Sequence, residues 1–160
     1  MRRHLATPVL TAALGAVLLA GAGCGGSDSG NGSVSSLDDN ALEACSTYNE
    51  IINTWSRDYG SQLSTVGQAE AEGSEEGTQA QEEAVAAVRS LFETAAEGMR
   101  TQAQNAEDAE LSEGLAQAAD GLEQIAGQIE TYDDVVNAPE MMASGEFADG
   151  GQRVNDYCAG

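Results

Sequence analysis

Three cysteines, Cys24, Cys45 and Cys158, carry the most specific chemistry in this chain of 160 residues. Thiols pair, take acyl groups or bind metals, and an odd number leaves one over after a disulfide has formed, so the third needs a role of its own. The other ionisable side chains are mostly carboxylates: 27 Asp and Glu stand against six Arg, no Lys and a single histidine, His4. A pair of carboxylates can run acid–base hydrolysis. Here one Trp, four Tyr and two Phe are too few to stack along a sugar cleft, and no acidic pair sits in an apolar setting that would raise a carboxyl pKa. Without Lys, and without His beyond residue 4, the chain has no His-based triad, imidazole metal site, Schiff-base amine or P-loop lysine. The acidic run Glu70, Glu72, Glu75, Glu76 does not follow the calcium-loop spacing D-x-[DN]-x-[DN]-G. The expectation is a chain that is not an enzyme and uses no cofactor and no metal.

The setting of Cys24 gives it a role. Met1-Arg2-Arg3-His4 is a short cationic start and Val9 to Ala20 is a mostly apolar run, the length of an export-signal core and too short to span a bilayer. Two cleavage readings compete at its end. Gly21-Ala22-Gly23-Cys24 resembles the lipobox of bacterial lipoproteins, in which small residues precede a Cys that is diacylated and becomes the new N-terminus. Ala20-Gly21-Ala22 also reads as an ordinary A-x-A site, which would leave Cys24 a free thiol. Cysteine parity favours the lipobox, since acylating Cys24 leaves Cys45 and Cys158 to pair. Gly25 to Ser36 is a Gly/Ser/Asn stretch with little to bury, a flexible tether of about 20 Å reach. The domain reading is therefore a signal peptide over 1–23, a lipidated Cys and tether over 24–36, and a helical domain over 37–160. The partner this implies is the membrane, through a diacylglyceryl group on Cys24, and the location is the outer face of the cytoplasmic membrane.

Removing the signal leaves Arg57, Arg89, Arg100 and Arg153 as the only basic side chains against all 27 acids. That excess repels phosphate backbones and anionic lipid, so nucleic acid is excluded as a partner. Its plain consequence is solubility.

The elements that would position these residues are helices. Ala41, Cys45, Tyr48, Ile52, Trp55 and Tyr59 recur at steps of four and three, predicting a helix over about 37–58 that Gly60 ends. Residues 60–77 hold four Gly and four Glu, and read as an acidic flexible loop. Thr78-Gln79-Ala80-Gln81 fits a capping box and opens a second helix to about Gln104. Asp108-Ala109-Glu110-Leu111 starts a third, whose stripe Leu111, Leu115, Ala118, Leu122, Ile125, Ile129, Tyr132 keeps helical spacing throughout. Gly114 and Gly121 flank that stripe, and each costs a helix interior about 1 kcal/mol relative to Ala, a cost that close approach of a neighbouring helix would offset. Pro139 disfavours helix at Ala138, leaving one turn over Glu140 to Ser144. Phe147, Gly151, Val154 and Cys158 then mark a short fourth helix.

Four such segments predict an all-α fold, an up-down-up-down four-helix bundle with a short fourth helix. Cys45 near the start of the first helix and Cys158 at the end of the fourth are then antiparallel neighbours, able to form a disulfide. Far from that bond, Trp55, Tyr59, Met141 and Met142 are expected to meet. Adaptable methionines beside an amphipathic aromatic are the candidate binding residues for an apolar ligand or partner peptide.

The lipobox Cys, the low-complexity tether, a Cys early in the first helix, the A-E-D-A-E-L run at residues 106–111 and the closing V-x-x-Y-C at Val154 to Cys158 together resemble small uncharacterised lipoproteins of high-GC actinobacteria. The resemblance implies a cell-envelope helical bundle and carries no activity. The functional expectation is a membrane-tethered, non-enzymatic binding module with an envelope protein as partner, and the alternative is a carrier or sensor of a small apolar ligand.

Overall fold

A computed structural model describes residues 37–160, and the expectations for the signal peptide, the tether and Cys24 lie outside the described residues. The described chain is all helical, with five helices: α1 (Asp39–Glu72), α2 (Ser74–Asn105), α3 (Ala109–Gln128), α4 (Tyr132–Met142) and α5 (Gly145–Ala159). The prediction of four helices is corrected to five.

The largest departure is at residues 60–77, which are helical instead of a loop. α1 runs on through Gly60 and Gly67 to Glu72, and only Gly73 separates it from α2. The reason lies in the stripe, which does not stop at Tyr59. Leu63 and Val66 continue it at steps of four and three, and Val66 is fully buried. Their burial outweighs two helix-interior glycines at about 1 kcal/mol each. At the hairpin tip, a Cβ on Gly77 would lie 3.1 Å from the Glu70 Cα, so the missing side chain lets the two helices close tightly. The second helix begins at Ser74 accordingly. Thr78 is no cap: its hydroxyl donates to the Ser74 carbonyl inside the helix.

The expected break between the second and third helices is present. Asp108 caps α3, its carboxylate accepting from the Glu110 and Leu111 amides. α1 braces the same turn through Asn40, whose amide group donates to the Asn105 carbonyl and accepts from the Glu107 amide.

Cross-helix pairs show how the helices run. Ile51 lies against Gly98 and Trp55 against Phe92, so α1 and α2 are antiparallel. Ser112 donates to the Ala103 carbonyl and Arg89 to that of Ile129, so α2 and α3 are antiparallel. Gly114 meets Val154 and Gly121 meets Phe147, so α3 and α5 are antiparallel. Phe92, Met99, Leu111, Leu115, Leu122 and Ile129 fill the core, with α3 contributing the most continuous buried face.

The α3–α5 contact bears out the expectation for Gly114 and Gly121. A Cβ on Gly121 would lie 2.1 Å from the Phe147 amide nitrogen, and one on Gly150 2.4 Å from that of Ala118. Backbone meets backbone there, which explains why α5 tolerates the adjacent Gly150 and Gly151.

α4 replaces the irregular stretch expected around Pro139. A capping box of Thr131 and Asp134 starts it, and Pro139 sits inside it. Backbone and side-chain donors of Thr131 and the Glu130 amide hold the Asp134 carboxyl below the usual carboxylate range. A proline cannot bond the carbonyl four residues back, here that of Val135. The Tyr59 hydroxyl donates to that carbonyl at 2.7 Å instead, so the gap proline leaves becomes the docking point of α4 on α1.

Candidate functional site

Cys45 and Cys158 are joined in a disulfide, with Cα atoms 5.9 Å apart, across the first turns of α1 and the last of α5. Tyr48, one turn along α1, brings its hydroxyl to within 3.0 Å of where a Cβ on Gly151 would sit. Burial pushes the Tyr48 hydroxyl pKa up. The bond thus closes a seam that bulkier residues would hold apart.

The four candidate binding residues do not line one groove. Tyr59 is buried and committed to α4, and burial with the neighbouring Tyr132 raises its pKa. Trp55 stacks on Tyr59 with ring centroids 5.0 Å apart and planes at 11°, and it tilts against Phe92 at 5.1 Å. Met141 lines a separate hollow between α3 and the start of α5, beside Gly121 and Phe147. Met142 packs half-buried against the core. The physical reason is the length of α1: it runs on to Glu72, so Trp55 lies near its middle instead of at an end, and Met141 and Met142 close α4, which packs on α2 and α3.

Trp55 does face a cavity, on the outer side of the α1–α2 pair. Its volume is about 310 Å³, and its lining is Thr47, Glu50, Ile51, Thr54, Trp55 and Asp58 from α1 with Leu91, Thr94 and Ala95 from α2. Thr47, Ile51, Thr54 and Asp58 follow steps of four, three and four, a second stripe beside the core stripe. That spacing is the signal in the sequence that could have located the site. Leu91 supplies the opposite wall. Gly98, one turn beyond Ala95, lets Ile51 lie close, since a Cβ there would meet the Ile51 Cδ1 at 3.0 Å.

Among the described residues the Trp55 Nε1 is the one buried side-chain polar atom without a hydrogen-bond partner, and it is enclosed in the protein. A buried donor left unpaired costs about 1–3 kcal/mol. The cavity's charge comes from its rim, which is acidic: Glu50 takes part in none of the ion pairs of the described residues, while Asp58 is bound by its neighbour Arg57 at 3.0 Å.

On the opposite flank, Arg100 of α2 clamps Asp120 and Glu123 of α3, and the guanidinium holds the Glu123 carboxyl below its ordinary range. All three side chains are exposed, so these two ion pairs tune the surface and define no site. No group of three or more His, Cys, Asp or Glu among the described residues could hold a metal ion, and no helix among them is long and apolar enough to cross a membrane.

No protein-family model, curated protein or solved structure matches this chain. The geometry of its own residues is therefore what any functional reading rests on.

Proposed function

We propose that this chain is a membrane-tethered lipoprotein of the cell envelope, exported by the signal at residues 1–23 and anchored through a diacylglyceryl group on Cys24. Its helical domain acts as a non-enzymatic binding module with an envelope protein as partner. The observation that supports this reading is the Cys45–Cys158 disulfide. Structural disulfides belong to oxidising compartments, and this one leaves Cys24 as the single cysteine without a mate. In this reading α1, α2, α3 and α5 form the up-down-up-down scaffold and α4 caps it. The acidic surface keeps the domain off anionic lipid and nucleic acid.

Intact-mass measurement on the membrane fraction tests the anchor. The expected result is a chain beginning at Cys24 with diacylglyceryl mass, and release of Cys24→Ser to the soluble fraction. A chain beginning at Gly23 with a free thiol refutes it. Crosslinking in intact cells tests the module, which fails if anchored protein is recovered with no reproducible neighbour.

The cavity beside Trp55 favours a second reading, a carrier or sensor of a small apolar ligand, placed on the α1–α2 face instead of at an end of the bundle.

A further inference from the structure

We infer that the groove between α1 and α2 binds a small cationic amphiphile, its apolar body between Ile51 and Leu91 against Trp55 and its charged head at Glu50. The inference rests on reading the domain as a binding module, and is independent of whether Cys24 carries lipid.

Size comes first. A cavity of about 310 Å³ is at the small end of what ligand sites occupy, roughly 300–1,000 Å³. A partner helix about 10 Å across would leave most of its bulk outside, so a small molecule fits where a peptide helix does not. Shape is next. Thr47 and Asp58 are eleven positions apart on α1, about 16 Å along the helix, whereas the α2 wall spans little more than one turn, so the groove suits an elongated body.

Charge then selects the head. Glu50 and Asp58 stand on the rim, Glu50 outside the ion pairs of the described residues, and the 26 Asp and Glu of residues 37–160 against four Arg concentrate cations around the domain. An anionic head would meet net repulsion from this surface. Trp55, Ile51 and Leu91 supply the apolar wall against which the body of such a molecule would lie.

Lauroylcholine, a quaternary ammonium with an ester carbonyl and a single alkyl chain, is the probe, used below its micelle concentration with the folded domain. Trp55 is the only tryptophan, so its emission reports the groove directly, and calorimetry gives stoichiometry. One saturable site is expected, with dodecyl sulfate binding at least about tenfold more weakly because its chain is similar and its charge reversed. Glu50→Gln should weaken lauroylcholine about two- to fivefold, the effect of one exposed charge contact. Glu140→Gln, which removes the same charge from exposed α4, should leave it unchanged. Leu91→Arg, which places a tethered cation in the groove, should abolish binding while helical circular dichroism persists. Equal affinity for the two head groups, equal effects of Glu50→Gln and Glu140→Gln, or no saturable change in Trp55 emission would each overturn the proposal. Failure here leaves anchorage and crosslinking to an envelope partner standing, and failure of those leaves this binding intact.

Discussion

Tyr59 and Pro139 are a matched pair, and their coupling can be measured. The Tyr59 hydroxyl occupies the Val135 carbonyl that Pro139, lacking an N–H, cannot reach. Tyr59→Phe should therefore destabilise the domain by about 1–3 kcal/mol, the cost of a buried carbonyl left unpaired. In a Pro139→Ala background the helix can bond that carbonyl itself, and the same Tyr59→Phe change should cost under about 1 kcal/mol. Denaturant unfolding of the four proteins in this cycle checks the difference, and equal costs in both backgrounds would show that the hydroxyl does not complete the helix. Tyr59 was legible in the sequence as a member of the apolar stripe. Its partner was not, because proline taken by itself signals a break, and only a tyrosine bonding the Val135 carbonyl, 76 positions from it in sequence, makes it tolerable. Trp55 shows the same limit: its stripe marks it as buried, and nothing in the local pattern says that Nε1 finds no acceptor.

Among the helices, glycine has opposite meanings depending on what faces it. Gly121 and Gly150 hold α3 and α5 backbone to backbone, where a Cβ would fall under 2.5 Å from main-chain nitrogen. Gly121→Ala and Gly150→Ala should each cost about 3 kcal/mol, the upper end of ordinary overpacking, because backbone cannot turn aside as a side chain can. Gly60 and Gly67 of α1 have open space at the same position, and Gly60→Ala and Gly67→Ala should each stabilise by about 0.5–1 kcal/mol. Thermal unfolding of the four single variants separates the two classes by sign. The glycines of α3 were readable in advance because an unbroken stripe surrounds them, so a close neighbour was the natural compensation. Those of α1 are not legible in the same way, for the converse reason. Gly60 follows Tyr59 where the stripe thins to Leu63 and Val66, and two apolar residues did not outweigh four glycines until α2, folded back beside them, supplied the burial. The same junction decides where Trp55 lies: a helix ending at Gly60 would put it at an end, and α1 running to Glu72 puts it in the middle, away from Met141 and Met142.

For the whole molecule, the fold class and the pairing of Cys45 with Cys158 followed from helical periodicity and thiol parity, signals that survive errors in individual boundaries. The extra helix did not, because α4 has just Val135 and Ala138 as buried residues and owes its shape to Tyr59 and the Thr131 capping box. The disulfide matters most where packing is thinnest. α3 binds both α2 and α5 along its length, whereas α1 and α5 meet mainly at Cys45–Cys158 and around Tyr48 and Gly151. A bond closing a sequence separation of 113 residues contributes roughly 4–5 kcal/mol in the chain-entropy model, by restricting the unfolded chain. Cys45→Ser paired with Cys158→Ser should lower unfolding free energy by about that amount. Hydrogen exchange should reveal where: protection should fall first in the last turns of α5 and the first turns of α1, while α3 and the facing part of α2 keep theirs until global unfolding. Exchange that rises evenly over all five helices would mean that α5 is held by its glycine contact with α3 alone and that the bond adds nothing local. The α1–α2 groove lies on the other side of α1 from that seam, so Trp55 emission should be the same in the oxidised and the Ser-substituted proteins under native conditions. A shift on loss of the bond would instead tie the groove's shape to the redox state of a disulfide two to three helical turns away along α1.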